Sequence, residues 1–322
     1  MNNREIVADN LAKKYGDFYA VNGVSFKVNS GEIYGFLGPN GAGKSTCVSM
    51  MTTLILPTSG KATVGSYDVV SQANEVRRIA GVALQDIGLD PLMKSMELLT
   101  IQAQTFGYNR KQAQERAHYL LDLVKLSSFT DRRVGKYSGG MRRRLDLALA
   151  LVHEPDILFL DEPTTGLDPA SRRDIWTEVR RLNKETGMTI FLTTQYLEEA
   201  DELADRIAII TAGKIAVEGT PSELKSKLGT ESINITFREA DQTQKAAEVI
   251  KSMGERVQID RKVLRIYMAQ AAAAIPAVVT KLQQAGLEPT SLTLTQPTLD
   301  DVFLQVTGES FTADEAEEAV TA

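Results

Sequence analysis

Gly38-Pro39-Asn40-Gly41-Ala42-Gly43-Lys44-Ser45 decides how this chain is read. The octet fits G-x-x-x-x-G-K-[ST] and lies between a short apolar run, Ile33 to Leu37, and a segment of helical character. In that setting successive backbone N–H groups form an anion cradle, reinforced by the positive end of the helix that follows. The expected ligand is a nucleoside triphosphate. Gly38, Pro39, Asn40, Gly41, Ala42 and Gly43 wrap its phosphates, with Thr46 next along the chain. Lys44 reaches the β- and γ-phosphates, and the Ser45 hydroxyl ligates Mg²⁺. A glycine-rich turn is the bland alternative, and the strand before and helix after argue against it.

A metal site of this kind needs an acid. Ile157-Leu158-Phe159-Leu160-Asp161 is an apolar strand that ends in a carboxylate, and Glu162 follows. Asp161 is expected to hold Mg²⁺, directly or through water. Glu162 can polarise the attacking water, which separates a hydrolase from a nucleotide holder. Two acids ending a strand are commonly a solvated turn. Here the phosphate loop upstream and Pro163 downstream weigh against that.

Outward from these motifs, the chain has 322 residues, 43% hydrophobic and 24% charged, enough for two cores at roughly 150 residues per domain. The longest stretch free of charge, Ser45 to Gly60, has 16 residues and is half polar, so no membrane-spanning helix of about 20 apolar residues is expected. The start, MNNREIVADN, lacks the apolar core of a signal peptide, and the single cysteine, Cys47, can form neither an internal disulfide nor a zinc cluster. A cytosolic protein is expected. Net charge is −6, but Glu309 to Ala322 holds five acids and no base, leaving the other 308 residues at −1. A nearly neutral body argues against a nucleic-acid binder. The tail itself, poor in large apolar side chains, is expected to be disordered.

Residues 5 to 228 alternate strands and helices, with further apolar strands at Asp156–Leu160, Thr189–Thr193 and Ile207–Ile210. Gly219-Thr220-Pro221 is a candidate hinge, followed by a helix to Leu228 and Gly229. Beyond it Ile233, Ile235 and Phe237 alternate with polar residues, and the periods continue as β-α-β-β-α-β, the order of a ferredoxin-like unit. Leu299, Val302, Phe303 and Val306 then repeat at helical spacing, with Thr298 and Asp301 as a cap and Gly308 as the stop. This stripe is expected either to close the small domain's own sheet or to dock on a nucleotide-binding domain.

Tyr137-Ser138-Gly139-Gly140-Met141 precedes a helix, with 20 residues between it and Glu162. It resembles the LSGGQ signature of ATP-binding cassette (ABC) ATPases. The resemblance covers about residues 4 to 225 and implies an α/β P-loop domain with an antiparallel β subdomain and a helical subdomain. It places Tyr15 where an aromatic stacks on adenine, Gln85 as the Q-loop glutamine that ligates the metal with Ser45 and Asp161, and Asp168 in the D-loop Gly166-Leu167-Asp168. It further implies two copies facing head to tail, with Ser138, Gly139 and Gly140 of one binding the γ-phosphate held by the other. The string YSGGMRRRLDLALALVHEPDILFLDEPTTGLDP, the phrase LTTQYLEEAD and the ending PTLDDVFLQVTG resemble daunorubicin-resistance-type exporter ATPases. That narrower likeness implies a separate integral-membrane permease and a place at the cytoplasmic face of the cell membrane. The expected layout is an ABC ATPase domain at 4–228, a small ferredoxin-like α+β domain at 229–308 and an acidic disordered tail at 309–322.

Where most of the family has a switch histidine, this chain has Gln195, which can donate to the γ-phosphate but cannot carry charge. His118, His153, Cys47 and Trp176 are read as structural, and Arg142 to Arg144 as a solvated or interface face. Three functions are weighed. An exporter motor fits best. A soluble ABC protein acting on ribosomes or DNA would be expected to carry two cassettes or a long insertion, whereas Lys44 and Ser138 are only 94 positions apart. Glu162 speaks against a regulatory binder without turnover.

Overall fold

The apolar run Ile33–Leu37 is the third strand of the chain in the computed structural model, which describes residues 3–86, 88–226, 231–254, 256–268, 270–295 and 298–307. A hairpin of β1 (Ile6–Tyr15) and β2 (Phe18–Val28) leads into β3 (Ile33–Leu37), which delivers the phosphate loop to α1 (Lys44–Met51). β4 (Ser59–Val64) and β5 (Tyr67–Asp68) extend the hairpin into an antiparallel sheet of order β2-β1-β4-β5. After α2 (Ala73–Ile79) and β6 (Ala80–Ala83) come three helices, α3 (Ser95–Thr105), α4 (Arg110–Leu123) and α5 (Gly139–Ala150). The fold returns through β7 (Ile157–Asp161), α6 (Pro169–Thr186), β8 (Thr189–Thr194), α7 (Leu197–Leu203), β9 (Arg206–Thr211) and β10 (Lys214–Gly219).

The second sheet has the order β10-β9-β3-β8-β7-β6, and β9, β3, β8, β7 and β6 run parallel. Every residue of β3, β7 and β8 is buried, as continuous apolar runs covered on both faces must be. Phe26 of β2 packs on Tyr34, Phe36 and Phe191 of the central sheet at centroid distances of 5.6, 5.6 and 5.7 Å, which ties the antiparallel sheet to the parallel one. A separate core under α3, α4 and α5 is built on Leu99, Leu120, Leu121 and Leu145. The local signals are equally plain on α6. Asp168 caps it, Pro169 opens it, and Gly187 closes it in the left-handed region at φ 64°, where a Cβ would be strained.

The second compact unit begins at Gly219. The expected cut at 228/229, Gly308 and the acidic tail lie outside the described residues. The helix α8 (Pro221–Ser226) belongs with the second unit because it lies against α11 (Leu299–Thr307), and its Leu224 is fully buried. Between them run β11 (Glu231–Thr236), α9 (Ala240–Ile250), β12 (Arg256–Asp260), β13 (Val263–Met268), α10 (Ala271–Gln284) and β14 (Ser291–Thr295). The sheet order β12-β13-β11-β14, antiparallel throughout, is that of a ferredoxin-like unit. Ile233, Ile235, Leu264 and Ile266 form its core with α9 and α10. Asp301 accepts from the Thr298 N–H at 3.0 Å and hydroxyl at 2.9 Å, the expected cap. It also pairs with Arg265 of β13, which ties the start of α11 to that sheet.

Candidate active site

Parallel strands deliver their carboxyl ends to one edge, and in this sheet that edge collects the chemistry. Register sets Leu37 beside Thr194, Asp161 beside Thr193 and Ala83 beside Leu160. The residues that follow are therefore neighbours: Gly38 after β3, Leu84 and Gln85 after β6, Glu162 after β7 and Gln195 after β8. The loop itself is tightly seated. A Cβ at Gly38 would meet the Ile210 carbonyl oxygen at 2.4 Å, and one at Gly43, where φ is +105°, would meet that of Ala20 at 2.3 Å.

Lys44, Ser45, Gln85, Asp161 and Glu162 converge as the sequence predicts. The Lys44 ammonium lies 3.0 Å from Glu162 Oε1, both side chains 3% exposed, and donates to the carbonyls of Gly38 at 2.8 Å and Pro39 at 3.0 Å. Ser45 Oγ donates to Asp161 Oδ1 at 3.2 Å, and the Thr193 hydroxyl donates to the same oxygen. Burial raises the Asp161 carboxyl above the usual range, and the hydroxyls of Thr193 and Ser45 pull it back. Glu162 Oε2 accepts from Gln85 Nε2 at 3.3 Å and from Thr165 Oγ1 at 3.2 Å. Its backbone N–H is held at 3.1 Å by both the carbonyl and the hydroxyl of Thr193. Hard oxygen donors from one serine and one aspartate suit Mg²⁺, which takes one or two carboxylates and completes its shell with phosphate oxygens and water. Thr193 and Thr165 escaped the sequence reading. The repeat Thr193-Thr194 at the end of an apolar strand was the available sign.

Arg143 overturns one expectation. The Arg142–Arg144 run is not uniformly a solvated or interface face: Arg142 is exposed, but Arg143 is only 5% exposed and bonds to backbone carbonyls. The cause is that α5 is buried on two faces: Met141, Leu145 and Ala148 lie on one, and Gly140, Arg143, Leu147 and Ala150 recur at helical spacing on the other, so Arg143 turns inward. Burial pushes the guanidinium's pKa down, opposed first by Asp146 and then by Asp161, Glu199 and Glu162. Asp146, 3.4 Å from Arg143 Nη1, is pushed up to about 6 by burial, against the pull of Arg143. Such a group adds stability that is complete below its ordinary value of 3.8 and is lost as pH rises through about 6. Asp146→Asn should therefore gain about 2 kcal/mol relative to wild type between about pH 4.5 and about pH 7. Urea unfolding at the two pH values measures it, and a pH-independent difference would refute it.

Among the described residues, no hydrogen bond or ion pair joins Tyr15, Ser138, Asp168 or Gln195 to Lys44, Ser45, Asp161 or Glu162. Tyr15 is half exposed at the end of β1, with the Lys13 ammonium 5.2 Å from its ring centroid. Ser138 accepts from the Met141 N–H at 3.2 Å and so caps α5, which leaves Gly139 and Gly140 at its positive end. Asp168 is exposed, and the Ser171 hydroxyl and backbone N–H hold its carboxyl below the usual range. Gln195 is half-buried in the turn after β8, and Thr46 is half-buried on α1. Cys47 is fully buried, which raises its thiol pKa and leaves it packing, as expected. His153 stacks on Phe106 at 4.1 Å, and its Nε2 lies 3.1 Å from the Ala80 carbonyl oxygen, a structural role. Trp176 is buried as expected, and its indole N–H donates to Glu199 at 2.8 Å.

Comparison with known proteins agrees with this geometry. The family described as "ABC transporter" matches residues 21–165, and that described as "ATP-binding protein DrrA1-3-like, C-terminal domain" matches residues 219–307. The chain is 43% identical to the daunorubicin resistance ATP-binding protein DrrA3 of Streptomyces coeruleorubidus, over 97% of this chain and 98% of that protein. It is 36% identical to the linearmycin resistance ATP-binding protein LnrL of Bacillus subtilis, over 94% and 98% respectively. Among solved structures, the dimeric post-hydrolysis state of the ATP-binding cassette MJ0796 bound to ADP and Pi superposes with a TM-score of 0.61 at 27% identity, covering 67% of this chain and 98% of that one. The two family matches and the near-full-length relatives point to one known group of proteins, and the chain belongs to it: the ABC transporter ATP-binding proteins of the daunorubicin-resistance type.

Proposed function

We propose that this chain is the ATP-hydrolysing motor of an exporter for drug- or antibiotic-like molecules, working as a homodimer on a separate integral-membrane permease. The observation that carries the reading is the buried Lys44–Glu162 pair beside Asp161 and Ser45. Lys44 binds the β- and γ-phosphates, Ser45 and Asp161 hold Mg²⁺, and Glu162 takes the proton of the attacking water. Mg²⁺, when bound, neutralises charge developing on the phosphates. Ser138, Gly139 and Gly140 of a second copy close on the γ-phosphate, Asp168 lies at that junction, and Tyr15 stacks on adenine. A dimer that closes on ATP and opens after hydrolysis is a two-state element able to drive a membrane partner. The permease carries the translocation path and holds the motor at the cytoplasmic face; no described helix of this chain is long and apolar enough to cross a membrane. The second unit, without a phosphate loop, serves assembly.

The test is ATP turnover by the purified chain with Mg²⁺ and with EDTA, followed by drug tolerance of cells carrying the chain with its permease. Turnover should need Mg²⁺, and tolerance should need both proteins and an intact Glu162. Tolerance that survives Glu162→Gln would refute the motor assignment.

A further inference from the structure

Arg143 sits on the helix that the signature motif opens, yet its guanidinium reaches across to the catalytic edge. Nε donates to the Pro163 carbonyl at 2.8 Å, Nη1 to that of Leu84 at 2.5 Å and Nη2 to that of Asp161 at 2.8 Å. These three carbonyls flank the two residues that meet at the base. Leu84 directly precedes Gln85, while Asp161 and Pro163 stand on either side of Glu162. Gln85 in turn donates to Glu162 Oε2 at 3.3 Å.

Glu162 has φ 48°, a left-handed conformation that residues with a side chain rarely adopt and that persists only where the surroundings over-determine it. Thr193 pins its N–H at 3.1 Å. Arg143 pins the backbone carbonyls before and after it. A guanidinium is planar and presents its donors as a rigid fork, so the three carbonyls and α5 are held in one fixed relation. We propose that Arg143 is a positioning residue for hydrolysis, which sets the Glu162 turn and Gln85 relative to the signature helix and passes any displacement of that helix to the Glu162 carboxylate. The proposal rests on the reading of Glu162 as the base.

A lysine keeps the charge but offers one nitrogen, which cannot span three carbonyls on separate elements. In the full-length chain, Arg143→Lys should lower kcat at least about tenfold, as small misplacement of a catalytic group does. ATP affinity and KM should stay within about twofold of wild type, since Arg143 touches no residue of the phosphate loop. Arg143→Gln carries no buried charge and keeps the test open should the lysine variant fail to fold. The decisive readout is a double-mutant cycle. Gln85→Ala should lower kcat in wild type and lower it much less in the Arg143 variant, because the geometry it exploits is already lost. A destabilised but otherwise competent protein would instead lose ATP binding in step with activity, and the two substitutions would multiply. Either that pattern or an unchanged kcat would overturn the proposal. Glu162→Gln, assayed alongside, separates the two readings. Retained hydrolysis there would sink the base assignment and the proposal with it. Lost hydrolysis there with an unchanged Arg143→Lys would sink the proposal alone.

Discussion

Glu162→Gln should lower ATP turnover about a thousandfold, within the range expected when a general base is removed. The amide keeps the shape of the carboxylate and can still accept from Gln85 or Thr165, but it cannot take a proton. ATP affinity should hold or rise. In the wild-type chain Lys44 is paired with Glu162 at 3.0 Å in a setting where both are almost wholly buried, so the γ-phosphate competes with that carboxylate for the ammonium. Removing the negative partner leaves the phosphates as the main anion within reach of Lys44, which keeps only the carbonyls of Gly38 and Pro39. A buried charge left without its counter-charge is costly, so the variant should lose more stability without ATP than with it. Its thermal midpoint should therefore respond to ATP more than that of wild type. Unable to hydrolyse, the ATP-loaded variant should accumulate as a dimer in sedimentation. Wild-type turnover, or no ATP-dependent dimer, would remove Glu162 from the role.

What the sequence made legible was what lies close along the chain. The phosphate loop is one unbroken octet, Asp161 and Glu162 close one apolar run, and the second unit's strands and helices announce themselves by period. Residues that matter through contacts far along the chain stayed hidden. Thr193 binds Asp161 from 32 positions away, and Arg143 reaches Leu84 from 59. The local signs are weak: the Thr193-Thr194 repeat at a strand end has ordinary β-propensity, and an arginine triplet on a helix commonly faces water. The helix before the expected cut is a related case. Pro221 to Ser226 continues the helical punctuation of the first unit, and only its packing against α11, some 75 residues later, assigns it to the second. The Tyr15, signature and D-loop positions were legible only through resemblance, because no period or spacing of the chain singles them out.

Gln195→Ala should lower turnover about a hundredfold, the usual cost of losing one donor aimed at developing negative charge. The residue follows Thr194, which pairs in register with Leu37, so it stands next to the start of the phosphate loop. Two positions before it, Thr193 serves Asp161 and the Glu162 backbone, which ties the end of β8 to the acids. An amide N–H can reach the γ-phosphate but has no charge to gain or lose. ATP affinity should thus fall little, because phosphate binding in the ground state rests on Lys44 and the loop amides. Gln195→His should retain most of the activity, since the imidazole can also donate, and should bring in a pH dependence near the ordinary histidine value of about 6.5. The wild-type profile should lack that limb, as glutamine does not titrate. Steady-state turnover of the three proteins between about pH 5.5 and about pH 8.5 decides the matter. Equal rates in Gln195→Ala and wild type would assign the γ-phosphate contact to another group.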